Sequence, residues 1–350
     1  MPYSWYPKYC CGYALTISDQ CFSEGTSPSQ QRTRIHLRPT LDNLLMHKAL
    51  LLTSALAPRS RKVYKKAYRE LQNFANSNDL EFELFPTSVQ CLSLCIAYSS
   101  TRGLAASTIA TYVSAIGYYN KLAGHPDPGN NFVIHKMLKG YSKLNRATDL
   151  RLPITYPILC KLLTGLKHTT GSRYERTLLQ AMFLLAFRSF LRIGEITQRS
   201  KSDDPCITST GLIFTKSKGI ISKFSFTLQH FKGHYGNPVT LNVLANFSIN
   251  CPVKAMVNYV KIRGANSGPL FVLPGQIPVP RPYFSHHLNR ALIWADLDPA
   301  RFKGHSFHIG SATSAHMAVI SDDQIQVMGR WKSSAYKKYI RLPTLPGLLQ

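Results

Sequence analysis

Apolar residues recur at intervals of three and four along most of this chain, and that period predicts helices. In SRKVYKKAYRELQNF (Ser60–Phe74), Val63, Tyr64, Ala67, Tyr68, Leu71 and Phe74 fall on one stripe, with lysines and arginines outside it. SVQCLSLCIAYSSTRG predicts a second helix, stopped at Gly103. STIATYVSAIGYYNKLAG predicts a third, capped by Ser107 and stopped at Gly124, and FVIHKMLKGYSKL a fourth. Residues 41–145 thus read as one basic, all-helical unit. Residues 1–40, rich in Ser, Pro, Gln and Arg without a sustained period, are expected to be a mobile arm. The polar stretch NRATDLRLPIT, with Pro153, is expected to form a linker over 146–155.

The second half changes period. Helices are predicted over Tyr156–Lys167 and Ser172–Gln198, and the latter is apolar nearly all round and so buried. Alternating segments follow: GLIFTKS, KFSFTLQHF and NPVTLNV, with Gly236-Asn237 between the last two, predict a small antiparallel sheet. Helices return at CPVKAMVNYVKIRG and PYFSHHLNRALIWADL. SDDQ (Ser321–Gln324) forms a capping-box signal before IQVMGRW. The fold class is mainly α with a small antiparallel β-sheet: a helical domain, then a mixed α+β domain over 156–345. No internal repeat is visible.

Composition narrows the partners. Of 350 residues, 44% are hydrophobic and 17% charged, which excludes a disordered chain and leaves room for two domains. The 42 Lys+Arg outweigh 17 Asp+Glu, giving +25 spread through every segment. So cationic a folded chain calls for a polyanion, and nucleic acid is the commonest large one. The eight cysteines form no CxxC pair and no zinc-ligand spacing, so a reduced, intracellular chain is expected. Cys91 and Cys95 lie four apart in an apolar helical pattern, which reads as core packing. The longest apolar run, Ala181–Phe187, is too short to span a bilayer, and no secretory signal is evident, so no membrane partner is expected.

Several residues are candidates for chemistry. Arg192, in FLRIGEIT, belongs to a segment expected to be buried; it either pairs with Glu195 three residues on or clamps a phosphate with its fork of donors. Arg188, one turn earlier, reads as a snorkelling or backbone-contacting residue. Lys232, near the tip of the predicted hairpin, is a mobile proton donor, with Lys216, Lys218 and Lys223 as rivals. His305 lies just before a predicted helix, where imidazole and terminal amides together hold an anionic oxygen, and His308 is one turn on. Trp331 offers an indole N–H to a phosphate oxygen. Tyr336 and Tyr339 stand among Lys332, Lys337, Lys338 and Arg341, and cationic surroundings make a tyrosine a feasible nucleophile.

The order Arg, hairpin Lys, His-x-x-His, Trp, Tyr resembles the tyrosine recombinase (phage-integrase-like) family. The likeness covers about residues 45–345 and is nearest to the recombinases of crypton-like transposable elements, on FLRIGEIT, CPVKAMVNYVKIRG, HSFHIGSATSA and QVMGRWKSSAYKKYIR. It implies a core-binding domain over 41–145 and a catalytic domain over 156–345, closing as a C-shaped clamp around double-stranded DNA. Tyr339 would attack the scissile phosphate to give a 3′-phosphotyrosyl link. Lys232 would protonate the 5′-oxygen, and Arg192, His305 and Trp331 would hold the non-bridging oxygens. No metal or nucleotide cofactor is implied, because the protein–DNA link stores the bond energy. Four protomers joined by C-terminal segments would carry out strand exchange, and a eukaryotic enzyme of this kind would work in the nucleus.

Two departures stand out. The Trp331–Tyr339 spacing of eight is one shorter than in several branches, which keeps Tyr336 in view as nucleophile. His308 occupies the place of the family's second catalytic arginine. A neutral imidazole offers one donor where arginine offers a charged fork, and losing one preorganised oxyanion donor costs about 10²–10³ in rate. Two functions therefore compete: a site-specific recombinase or integrase of a mobile element, and a catalytically impaired DNA-binding remnant or domesticated copy. A type IB topoisomerase shares the chemistry. A basic RNA-binding protein would not explain the ordered boxes.

Overall fold

The structure, a computed structural model, describes residues 40–78, 84–145, 149–198, 205–229, 231, 238–246 and 248–341. All of the N-terminal arm expected over 1–40 except Thr40, the tip of the predicted hairpin including Lys232, and the C-terminal tail from 342 lie outside them. The chain divides into two compact units, Met1–Thr148 and Asp149–Gln350.

The first unit is helical: α1 (Leu41–Ser54), α2 (Pro58–Ser77), α3 (Val89–Thr101), α4 (Ala106–Leu122) and α5 (Phe132–Leu144). The predicted stripe on α2 buries Ala67, Leu71 and Phe74, and leaves Lys62, Lys65, Lys66 and Arg69 in solvent. Leu71 and Phe74 meet Cys91, Leu92 and Cys95 of α3, Ile109, Val113 and Ile116 of α4, and Ile134 of α5. Cys91 and Cys95 are therefore core residues. Buried Asn120 ties this unit together: its Oδ1 accepts from the Thr87 amide at 2.9 Å, and its Nδ2 donates to the Ile116 carbonyl at 2.9 Å. The N-cap of α4 is Ala105 rather than Ser107, which is the second residue of the helix. Gly103 and Gly124 adopt positive φ just past α3 and α4, where a Cβ would be strained.

The second unit runs α6 (Tyr156–Thr169), α7 (Arg173–Arg188), α8 (Ile193–Ile196), β1 (Ile213–Ser217), β2 (Ile220–Leu228), β3 (Val239–Leu244), α9 (Pro252–Arg263), β4 (Val272–Leu273), β5 (Ile277–Pro278), α10 (Arg281–Trp294), α11 (His305–Met317) and α12 (Asp322–Met328). A 3₁₀ turn over Ser334–Tyr339 ends the described part. The sheet is antiparallel in the order β1-β2-β3, pairing Phe224 with Val243 and Phe226 with Leu241. Period-two alternation buries Phe224, Phe226 and Leu228, and α9 packs against β2 and β3. The short hairpin β4–β5 follows α9.

Helix α7 is the axis of this unit. Leu178, Leu179 and every residue from Ala181 to Phe187 are buried, and α6, α9 and α11 lie against it. Phe183, Phe284 and Phe307 meet there with ring centroids 5.1–5.8 Å apart. No helix of the described residues is long and apolar enough to cross a membrane.

Two sequence expectations change here. The helix expected over Ser172–Gln198 is broken: α7 ends at Arg188, Phe190 turns with φ 52°, and α8 restarts after Arg192. The expected linker is also partly built into this unit. The Leu152 amide donates to the Arg301 carbonyl at 2.7 Å, the Ile154 amide to the Ser306 carbonyl at 3.0 Å, and the Ile154 side chain is fully buried. A Cβ at Gly310 would overlap the Ile154 backbone, so α11 can approach this segment only with glycine there.

Candidate active site

The break after α7 creates the first half of the site. A continuous helix would have buried Arg192 in the core. The turn at Phe190 makes it the N-cap of α8 instead, with 23% of its side chain exposed. Glu195 closes a capping box: its Oε2 accepts from the Arg192 amide at 3.0 Å and its Oε1 from Arg192 Nη1 at 3.2 Å. The ion pair, one of the two alternatives posed by the sequence, is formed, and part of the Arg192 side chain stays exposed beside it.

Helix α11 supplies the second half. His305 is its first residue, not the one before it. Ser311 Oγ donates to the Phe187 carbonyl at 2.6 Å, fixing α11 to the end of α7. His308 is fully buried, and its Nδ1 lies 2.8 Å from the Phe190 carbonyl. A carbonyl only accepts, so Nδ1 carries the proton. Burial, with Arg192 and His305 beside it, pushes the His308 pKa down to about 3, so the ring is neutral near pH 7. Its Nε2 is then a bare lone pair, enclosed and without a partner among the described residues. Position 308 offers an acceptor where an arginine would offer donors. Burial also pushes His305 down to about 4, helped by the cations of Arg151 and Arg192.

The C-terminal turn brings Tyr339 to these histidines. Its ring centroid lies 5.1 Å from His305, 5.5 Å from His308 and 5.4 Å from Trp331. The Tyr339 carbonyl accepts from Thr313 Oγ1 at 3.1 Å, and the Arg341 amide donates to the same hydroxyl at 3.1 Å. Tyr336, by contrast, is 4% exposed and packed with Phe190, Ala312, Ala315 and Ile325. Trp331 packs 4.6 Å from the His308 ring, and a Cβ at Gly329 would collide with its indole. Its Nε1 is enclosed without a partner among the described residues, so the expected N–H is not presented to solvent.

Three residues join that sequence reasoning had not placed in the site: Arg330, Asp149 and Arg151. Arg330 is buried: its guanidinium donates to the Ser189 and Phe190 carbonyls and to Glu195 Oε2, each at 3.1 Å. Its spacing of nine from Tyr339 was the available signal. Asp149, Arg151 and Arg341 form a cluster beside it: Arg151 Nε donates to Asp149 Oδ1 at 2.7 Å, and Arg341 bonds Asp149 and the Arg151 carbonyl. Arg151 holds the Asp149 carboxyl well below the usual carboxylate range. No helical or strand period marks 149–151, which is why they read as linker.

The remaining candidates fall elsewhere. Lys232 lies outside the described residues. Lys216 is exposed on β1, Lys218 occupies the β1–β2 turn with φ 50°, and Lys223 is half-buried on β2. Arg188 is exposed and sits 5.1 Å over the Tyr156 ring.

No family model matches the chain, and no curated protein matches it. Solved structures do. The XerH site-specific recombinase bound to palindromic difH substrate, a post-cleavage complex, is similar over 85% of this chain and 81% of that one, at 13% identity and a TM-score of 0.58. The Tn1549 transposon integrase in complex with transposon right end DNA is similar over 85% and 94%, at 12% identity and 0.57. A lambda integrase dimer bound to a COC′ core site is similar over 84% and 75%, at 13% identity and 0.52. The chain therefore has the tyrosine recombinase fold, mostly helical with a small antiparallel sheet and a short added hairpin, and carries His305, Trp331, Tyr339 and the Arg192–Glu195 pair around one point of it.

Proposed function

We propose that this chain is a site-specific DNA recombinase or integrase that breaks and rejoins duplex DNA through Tyr339. The observation that carries this reading is the convergence of Tyr339 on His305, His308 and Trp331, with a guanidinium anchored at Arg192. In this reading the Tyr339 phenol gives its proton to solvent as its oxygen attacks the scissile phosphorus, and the bond from phosphorus to the 5′-oxygen breaks, leaving a 3′-phosphotyrosyl bond. Arg192 and His305 hold the non-bridging oxygens, and Lys232 protonates the leaving oxygen. Trp331, its N–H enclosed, packs the floor under Tyr339 and His308. Tyr336, its ring packed in an apolar cluster and its hydroxyl bonded to Asp322, is not the nucleophile. The +25 charge suits a DNA partner, and solved neighbours of the fold are bound to DNA. A mobile-element origin of the crypton kind, a four-protomer synaptic assembly and work in the nucleus complete the proposal.

A second reading is favoured by one observation: His308 spends its one N–H on the Phe190 carbonyl and keeps Nε2 enclosed as a lone pair, so it gives the site no donor. On that reading the chain binds DNA without cutting it. Covalent trapping separates the two. Nicked suicide duplexes built from the DNA ends that flank the encoding element would be incubated with wild type, Tyr339→Phe and Tyr336→Phe. An SDS-resistant adduct from wild type and Tyr336→Phe but not Tyr339→Phe supports the recombinase. DNA retention with no adduct from any variant leaves the binding remnant.

A further inference from the structure

A phosphate site built on the Arg192–Glu195 pair alone would be weak. The pair is neutral as a unit, and His305 and His308 are both uncharged near pH 7. Besides the cluster of Arg151 and Arg341 on Asp149, one source of the missing charge lies behind it. Arg330 has only 8% of its side chain exposed and meets the same carboxylate, Glu195, which is itself 5% exposed. The Glu195 Oε2 accepts from the Arg192 amide and from Arg330 Nη2, while Oε1 accepts from Arg192 Nη1. The result is a buried Arg–Glu–Arg triad with net charge +1 and one end, Arg192, open to solvent.

Burying a guanidinium is costly, and a neutral side chain would also bond the Ser189 and Phe190 carbonyls. What a neutral side chain could not do is share the Glu195 charge. Arg330 is also held at φ 55°, a conformation that L side chains rarely adopt, so the chain tolerates an unfavourable backbone to place it. The Phe190 carbonyl accepts from both Arg330 Nη2 and His308 Nδ1, so the buried cation adjoins position 308, where a donor is lacking.

We propose that Arg330 is a positioning residue for the phosphate site: by sharing the Glu195 carboxylate it leaves Arg192 net cationic and aimed, supplying the charge that position 308 does not. This rests on the reading of Arg192 as a phosphate ligand. Arg330 acts through Glu195 and not on the phosphate itself: its side chain is only 8% exposed, Nη1 bonds Ser189, Nη2 bonds Phe190 and Glu195, and Nε is enclosed without a partner among the described residues.

The test is the salt dependence of duplex DNA binding, whose log–log slope falls by about 0.9 for each phosphate that the protein ceases to neutralise. Full-length wild type, Arg192→Ala, Arg330→Gln, Arg330→Lys and the Arg192→Ala/Arg330→Gln double variant would be compared below their melting temperatures. Arg192→Ala and Arg330→Gln should each lower the slope by about 0.9 and the double variant by no more, while Arg330→Lys, which keeps the charge on Glu195, should retain it. An unchanged slope in Arg330→Gln beside a lowered one in Arg192→Ala overturns the proposal, as does an additive loss in the double variant. An unchanged slope in Arg192→Ala overturns the phosphate-site reading and the proposal with it. Should Arg330→Gln not fold, ¹⁵N-arginine wild type titrated with inorganic phosphate decides. Side-chain signals of Arg192 should move and those of Arg330 stay; equal movement of both overturns the proposal, and movement of neither overturns the site.

Discussion

Among the described residues of the second unit, Arg263 and Arg330 both have guanidinium groups largely withdrawn from solvent, and they do opposite things. Arg263, 5% exposed at the end of α9, gives Nε to the Leu270 carbonyl, Nη1 to Gly264 and Asn266, and Nη2 to Pro269. Its charge is absorbed by carbonyl dipoles, and it staples the loop that leads into β4. Arg330 also meets two carbonyls, but its remaining bond goes to a carboxylate shared with a half-exposed arginine. Burial of a guanidinium is therefore no sign of a site by itself. What marks the second region is a charged route from the buried group to one that solvent, or a ligand, can reach.

The sharpest break in that comparison is chemical. Tyr339→Phe is expected to abolish the covalent DNA adduct completely, whereas Arg263→Ala, assayed below its melting temperature, is expected to form it as wild type does; gel detection of the SDS-resistant species checks both. Next in size is His308→Arg. Restoring a forked donor should raise single-turnover cleavage by about 10²–10³. The same variant should melt lower, since it crowds a sealed position beside Arg192 and Arg330. A denaturant titration checks the structural arginine: Arg263→Ala should lose about 3 kcal/mol, because several carbonyls are left without their donor.

Smaller effects sharpen the electrostatics. His305 and His308 have folded pKa values near 4 and 3, below the ordinary 6.5. Between these values the unfolded chain binds more protons than the folded one, so the stability they contribute is present above about pH 6.5 and lost as pH falls towards 4 and then 3. Melting temperature should fall across that window, and His308→Gln, whose amide still donates to Phe190, should flatten the fall. At the bottom of the range, Arg188→Ala removes only an exposed cation over Tyr156 and should change stability by about 0.5–1 kcal/mol in the same titration.

Much of the fold was readable because it is written in local periods. The stripe on α2, the all-round apolar α7 and the alternation of Phe224, Phe226 and Leu228 each follow from a repeat of a few residues. The failures have one character. The stretch from Ser189 to Leu191 carries no glycine or proline, so nothing in it announced that Phe190 would turn with positive φ and split the helix. Residues 149–154 have no period at all, yet Ile154 is fully buried under α11. Arg330 escapes notice in the sequence because Trp331 next to it is the more conspicuous residue.

By itself the sequence determined the fold class and the +25 charge, and it singled out Arg192, His305, His308, Trp331 and Tyr339 as candidates, since each rests on composition or a short motif. Tertiary structure alone decided what those residues can do. The tautomer of His308 is set by a carbonyl 118 residues away, and the charge available at Arg192 by a guanidinium 135 residues beyond the carboxylate that Arg192 shares. Hydrogen-bond roles and buried charge depend on which groups folding brings within about 3 Å, and no local pattern encodes that distance.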